Sequence, residues 1–599
     1  MNVNLRLEHL EYRYIFIVED RNHWESCKSM YDNSTDLVLS IDFGLKKEME
    51  QNGCAVQYLD HLLDSSFLEG KNYEMHKFLN GWYRDEKGKD IFEFEGMEVG
   101  NAFLLNILND VTYNVHFFLS ILALRKFSYR KIICAVTDVH VIQWLKELKY
   151  DVDFQNPPAG AQDRRTVYFF PIVKWMQSRI ERKSGKEKLK ALLLRIIDYA
   201  LILVDFFSRG KKPMIFIQSY YPTKKIIELL KRDGRIRLLL VNYTSLKGLL
   251  AERRISARGA SADPRLVTSA LTKFEKQRKA KWLVEEYDIS AFLYRLLEPK
   301  LPQLLQRSYS RLIDIRKYLR NKDLKLMVPV TDLWMENRLI MNYCKKEGIP
   351  VYMIINGLLT HNFVFDGRDV DIVNAYGDAI KEDYFFNKEN IVCLGDPRMD
   401  YYAKQPLKTI NRERPTVIIG AAGYSPIDLN SYLAYEFEFL FDLLDCFNTF
   451  AEEGRSFEII IKVRANGYTD QYERFIKEYF PGSNITIIQD MPFATLISKA
   501  DLYISFYSQT LFEASSLGIP SLYYKNDRQV INKPFDSRSE LVTANNKHEL
   551  KEKILLFLEG DVSFQQFTNK KVLEKYIGPM DGNNAERNVD FIYKLLNQA

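Results

Sequence analysis

Cysteine is scarce and scattered in this chain. Six of 599 residues (Cys27, Cys54, Cys134, Cys344, Cys393 and Cys446) are cysteine, and no two form a C-x-x-C pair. Their apolar or helical surroundings fit reduced packing residues of a cytosolic protein rather than a disulfide framework. No metal site is expected. A charge excess is missing too: 84 basic and 79 acidic residues leave +5, too little to argue for a nucleic-acid partner. The N-terminus, "MNVNLRLEHLEYRY", carries charges where a secretory signal needs an apolar stretch, so no secretion is expected. A long uninterrupted apolar run is also absent. The strongest, "LKALLLRIIDYALILVDFF" (189–207), is broken by Arg195, Asp198 and Asp205, charges that a bilayer-spanning helix accommodates only at a cost of several kcal/mol. No repeat or low-complexity tract stands out.

What remains is an ordinary globular composition, 46% apolar and 27% charged, in a chain too long for one core. At least two domains are expected. Short apolar runs alternate with longer helical segments. Strands are read at 14–20, 37–42, 56–60, 131–138, 214–219, 237–241, 325–332 and 351–356, and a second series after Pro415 at 416–423, 457–464, 484–490, 501–506 and 520–524. Near-continuous Val/Ile/Leu runs mark strands buried on both faces, hence parallel α/β sheets. Ligands bind outside the carboxyl ends of such strands.

Polar residues gather at those ends. Gly420 and Gly423 follow the first strand of the second series, where a glycine-rich turn lets backbone approach a phosphate. Lys462 and Arg464 end the second strand, Asp490 the third, and Ser505 to Gln509 the fourth. In the first series Asp332, Asn356 and Gly357 follow strands, with Glu336 and His361 close behind. Each has a bland reading as a turn or cap residue; their agreement across several strand ends favours a site.

The stretch "ADLYISFYSQTLFEASSLGIPSLYY" (500–524) concentrates the question. With Ser508 as helix cap, the N–H groups of Gln509, Thr510 and Leu511 offer a metal-free phosphate site at the positive helix end. Glu513 shares the face of Gln509 and Thr510 and is placed to accept from two ribose hydroxyls. Tyr507 stands beside them.

"NIVCLGDPRMDYY" (390–402) resembles the G-x-P-R-x-D signature of glycerophosphotransferase-like and capsule or surface-polysaccharide transferases, and 499–527 resembles their donor-nucleotide block. The segment "VYMIINGLLTHNF" (351–363) occupies the place of their H-G turn. The resemblance covers roughly 325–530 and implies a GT-B fold, two Rossmann-like doubly wound parallel-sheet domains facing a cleft. It divides the chain into an acceptor-side domain, 1–390, with a helical insertion near 165–320, and a nucleotide-donor domain, 391–599. The chain departs from the family at Asn356 in the H-G turn, at Arg464 in the Lys-x-His-Pro segment, and at Phe506 to Gln509, where Asp-Tyr-Ser-Ser is usual. These departures leave the donor open. Retaining members often carry two glutamates eight apart; Ser505 stands eight before Glu513, which favours inversion.

The resulting expectation is a cytosolic, membrane-associated glycosyltransferase that moves a sugar from a nucleotide-sugar donor to a surface or capsular glycan, lipid-linked or free. No cofactor or metal is expected. The donor residues are Gly420, Gly423, Lys462, Arg464, Asp490, Tyr507, Ser508, Gln509, Thr510 and Glu513. His361 or Asp332 is the base, and Glu336 orients the acceptor. Transfer from a CDP-linked polyol, nucleotide-sugar epimerisation, and an inactive scaffold of the same fold are the alternatives. The basic flanks of 189–207 suit a helix on the inner membrane face; a buried interdomain helix fits the same pattern and is favoured. The basic stretch 251–265 reads as a surface loop.

Overall fold

Each apolar run read as a strand is one in the computed structural model, which describes residues 11–155, 212–241, 260–320, 322–357, 369–421, 429–430, 432–464, 469–525 and 532–598. The stretch 189–207 and most of 251–265 lie outside the described residues, as do His361 and Gly423. The strands are β1 (Glu11–Val18), β2 (Leu37–Ser40), β3 (Val56–Tyr58), β4 (Ser128–Ala135), β5 (Val152–Phe154), β6 (Met214–Gln218), β7 (Arg237–Val241), β8 (Leu283–Val284), β9 (Tyr287–Asp288) and β10 (Leu324–Val328). They continue with β11 (Tyr352–Ile354), β12 (Ile372–Asn374), β13 (Ile391–Val392), β14 (Thr416–Ala421), β15 (Glu458–Val463), β16 (Ile485–Ile488), β17 (Leu502–Ser505), β18 (Ser521–Tyr524) and β19 (Val542–Ala544). Apart from the β8–β9 hairpin, every described strand pairing is parallel. This follows from residues buried on both faces: β17 and β18 have no exposed position.

The fold is α/β, built of doubly wound parallel sheets. The C-terminal sheet runs β16-β15-β14-β17-β18-β19, the strand order of a Rossmann-like domain with its switch point between β14 and β17. Before it, β10-β6-β7 and β11-β12-β13 form two short sheets. They are linked by a parallel bridge between Met327 and Val351 and by the Met327 N–H donating to the Pro350 carbonyl at 3.0 Å. These strands thus continue one another as a second Rossmann-like layer. The earliest strands make a separate five-stranded sheet, β3-β2-β1-β4-β5. The series read as one from the sequence therefore divides between two layers.

The first sheet is packed against both others. Its residues share a core with the helices Leu104–Leu122, Leu301–Leu319 and Met335–Lys346. Phe43, beyond the carboxyl end of β2, and Tyr58, the last residue of β3, enter the core of the C-terminal sheet. The Phe43 ring meets Phe475 at 5.6 Å and Tyr479 at 5.4 Å. Beside it Glu438 accepts from the Tyr58 hydroxyl at 2.6 Å and pairs with Lys46 and Lys47 at 3.6 and 3.3 Å. Among the described residues one helical stretch, Gly100–Lys126, is long and apolar enough to cross a membrane; its most apolar part is mostly buried within the fold, as a core helix is. All six cysteines are free, four of them buried.

Asp42 follows β2 and caps the helix Phe43–Gln51 by accepting from the Leu45 N–H at 2.7 Å. Burial pushes its carboxyl up to about 8, against the pull of that hydrogen bond and with help from Asp20. A carboxyl that holds its proton more tightly folded than unfolded destabilises the fold as pH rises. Stability should thus fall between about pH 4 and 8, by about 1.4 kcal/mol for each tenfold difference in proton affinity. Asp42→Asn keeps a capping oxygen. It should match the parent near pH 4 and melt higher at pH 8; equal melting curves at both pH values would refute this.

Candidate functional site

The site is assembled where the carboxyl ends of the last two layers meet. After β17 the chain passes through Phe506 to Gln509 into the helix Thr510–Ser516. Ser508 organises this turn: its hydroxyl accepts from the Thr510 N–H at 3.3 Å and shares a hydrogen bond with the Thr510 hydroxyl at 2.6 Å. The Thr510 hydroxyl in turn lies 2.5 Å from that of Tyr503. Gly420 makes room for this arrangement, since a Cβ there would stand 2.1 Å from the Tyr503 hydroxyl. Here the sequence reading needs correction. Gly420 lies inside β14, not in a glycine-rich turn, and its missing side chain accommodates a neighbour's hydroxyl. The helix cap is Gln509, one residue beyond Ser508. The N–H groups of Thr510 and Leu511 are already engaged by the Ser508 hydroxyl and carbonyl.

The other half comes from "GDPR" after β13. Gly395 adopts a left-handed φ of 83° with Asn584 packed where a Cβ would stand, so only glycine fits. Asp396, fully buried, receives Arg398 in a bidentate pair at 3.0, 3.1 and 2.7 Å. Arg398 also donates to the Asn356 carbonyl beyond β11 at 3.1 Å and to the Tyr376 hydroxyl beyond β12 at 3.4 Å. From the opposite layer, the Gln509 side-chain amide donates to Asp396 at 3.2 Å. Glu513, one turn further along the same helix face, accepts from the Tyr402 hydroxyl. Burial pushes the Glu513 carboxyl up, opposed by the Arg398 charge and the Tyr402 hydrogen bond. Burial would lower the Arg398 guanidinium, but the charge of Asp396 outweighs it and the net shift is upward. Asp400 completes the motif by accepting from the first N–H groups of the helix Asn584–Gln598, both at 2.8 Å.

Sequence reasoning thus brought Ser508, Gln509, Thr510 and Glu513 to one place, and it missed their partners Asp396, Arg398 and Tyr402. The signal was present, since all three lie in the motif quoted for the resemblance. The other proposed residues are spread out. Lys462 donates from its ammonium to the Val463 and Gln489 carbonyls at 2.9 and 2.5 Å, tying the ends of β15 and β16 together. Burial lowers its pKa against the pull of Asp490, which is exposed. The Arg464 carbonyl accepts from the Gln489 side chain at 3.0 Å. Tyr507 packs edge-on against Phe535 at 4.8 Å.

The sequence offers Asp332, beside His361, as a candidate base at a strand end. It is instead fully buried, and pairs with Arg338 at 2.8 Å. Arg338 also reaches Asp369, so the carboxylate serves an internal ion pair. Glu336 accepts from Arg311 at 2.7 Å and remains partly exposed.

The first sheet has its own switch point, between β1 and β4, and its carboxylates are used internally. Glu19 accepts from the Thr137 N–H and hydroxyl, both at 2.6 Å. Asp20 binds His23 at 2.7 Å. Asp138 caps its helix and receives the Tyr113 hydroxyl at 2.8 Å. Among the described residues no cluster suited to a metal ion occurs.

The sequence matches no protein-family profile and no curated protein. Solved structures of similar shape include a putative UDP-N-acetylglucosamine 2-epimerase from Listeria monocytogenes, 13% identical with a TM-score of 0.42 over 65% of this chain and 98% of that one. A glycosyltransferase from Rickettsia africae ESF-5 is 11% identical with a TM-score of 0.39, over 65% and 100% of the two chains. The wall teichoic acid polymerase TagF is 13% identical with a TM-score of 0.35, over 68% and 96%. These are distant likenesses, and the strand orders described above stand independently of them.

Proposed function

We propose that the protein is a transferase that uses a nucleotide-linked donor, in the first instance a nucleotide sugar, and delivers it to a surface or capsular glycan. One observation carries this reading: the bonds from Gln509 to Asp396 and from Tyr402 to Glu513 join the carboxyl ends of two facing parallel layers around Arg398, the place where doubly wound folds bind nucleotides. Glu513 and the Ser508–Thr510 turn supply hydroxyl acceptors and donors there. Arg398, Arg464 and Lys462 supply positive charge for phosphates. The Glu513 carboxyl binds ribose, and inversion without a metal fits the absence of a glutamate eight residues earlier. His361 is the remaining candidate base, because histidine is the residue type whose ordinary range lies near neutrality, with Glu336 on the acceptor side.

A thermal-shift series with UDP, GDP, CMP and CDP tests the donor, because a nucleotide stabilises only the state that binds it. Glu513→Ala should weaken the nucleotide that binds by about 1–3 kcal/mol, the scale of charge-assisted hydrogen bonds. Calorimetric titration of a folded Glu513→Ala variant with unchanged affinity would remove Glu513 from the site. Donor hydrolysis by the parent then separates sugar transfer from CDP-polyol transfer and from epimerisation by the product released. A second reading, a binding protein of this fold without turnover, is favoured by the internal commitments of Asp332 and Lys462. Donor binding with no hydrolysis or transfer would select it.

A further inference from the structure

A cavity of about 230 Å³ opens beside the carboxyl end of β10, lined by Leu105, Asn106, Arg307, Trp334, Met335 and Glu336. Three elements build it: the starts of the helices Leu104–Leu122 and Met335–Lys346, and the middle of Leu301–Leu319. It falls below the roughly 300–1,000 Å³ of pockets for drug-sized ligands. That size excludes a whole nucleotide and suits a single ring. The lining has two kinds of surface. The Trp334 indole, with Leu105 and Met335, presents apolar area to the C–H face of a ring. Asn106, Arg307 and Glu336 are planar polar groups that hydrogen-bond hydroxyls at its edge. Glu336 is neutralised by Arg311 through the hydrogen bond at 2.7 Å and the accompanying ion pair. Arg307 makes no ion pair among the described residues, so its guanidinium stands open to an anion at the cavity.

We propose that this cavity is a subsite for one pyranose ring bearing an anionic substituent, a carboxylate or a phosphate, in the acceptor glycan. The ring stacks on Trp334, Glu336 and Asn106 take its hydroxyls, and Arg307 pairs with the anion. The subsite deepens the transferase reading and rests on it for the word acceptor. Its ability to bind an anionic sugar does not depend on nucleotide.

The test uses the full chain without nucleotide and follows ligand binding by saturation-transfer NMR and calorimetry. Tetragalacturonate supplies the carboxylate, glucose 6-phosphate the phosphate, and maltotetraose is the neutral control. One of the anionic probes should bind, and maltotetraose should bind at least tenfold more weakly. Arg307→Gln, a change at an exposed position, should weaken the anionic probe by about tenfold or more, the scale of one charge-assisted contact. Trp334→Ala should abolish binding, and Trp334→Phe should restore most of it. Whichever anionic probe binds identifies the substituent. Failure of both anionic probes to bind the parent overturns the proposal, as does binding that Arg307→Gln leaves unchanged. If an anionic sugar binds while no nucleotide raises the melting temperature, the subsite stands and the transferase reading falls. The reverse pattern removes the subsite alone.

Discussion

Arg338→Met is expected to lower folding stability by about 3–5 kcal/mol, the cost of leaving a buried charge without its partner. The Arg338 side chain is 2% exposed and that of Asp332 is fully buried, so water cannot replace the lost guanidinium. Asp369, the second partner, is more accessible and should suffer less. Against a total stability of about 5–15 kcal/mol, such a loss is a large fraction. Equilibrium denaturation should show a much lower midpoint with an unchanged slope. Asp332→Asn added to Arg338→Met should recover part of the loss, because the unpaired charge is then gone. A single variant within 1 kcal/mol of the parent would show that the pair is solvated and would return Asp332 to the list of candidate bases.

Arg398→Ala should have a comparable structural cost and a functional one. It strips a bidentate partner from the fully buried Asp396 and releases the hydrogen bond to the Asn356 carbonyl. A loss of about 3–5 kcal/mol is again expected. It also removes positive charge from beside Glu513, so the nucleotide that stabilises the parent should no longer shift the melting temperature. Adding Asp396→Asn separates the two effects: stability should recover in part while the nucleotide response stays absent. An intact nucleotide response in the stabilised double variant would place the donor elsewhere, and an unchanged melting temperature in Arg398→Ala would show that the cluster does not hold the layers together.

Much of this protein was legible in its residues. Long Val/Ile/Leu runs can be satisfied only by strands covered on both faces, and each one read as a strand is a strand. The strands that escaped, β5, β8, β9, β12, β13 and β19, have two or three residues each. So short a stretch has no period to detect, and its pairing comes from a neighbouring strand. The turn at Ser508 and the shared face of Gln509 and Glu513 were likewise local, because hydroxyl-to-backbone bonds and helical spacing act within a few residues.

Long-range contacts decided the rest. Arg338 lies only six residues after Asp332, but whether that pair is sealed in the interior beside Asp369 or turned to a cleft depends on what packs over it. Gly420 looks like a phosphate turn until the Tyr503 hydroxyl, from a neighbouring strand, occupies the space of its side chain. The separation of the first strands into their own sheet, locked to the C-terminal layer by Phe43 and Glu438, has no local signature either. Alternation and apolar runs are properties of single segments, so the sequence by itself determined which segments are strands and which turns carry hydroxyls. The bonds from Gln509 to Asp396 and from Tyr402 to Glu513 cross more than a hundred positions, and only the tertiary structure decided that Asp396, Arg398, Gln509 and Glu513 meet.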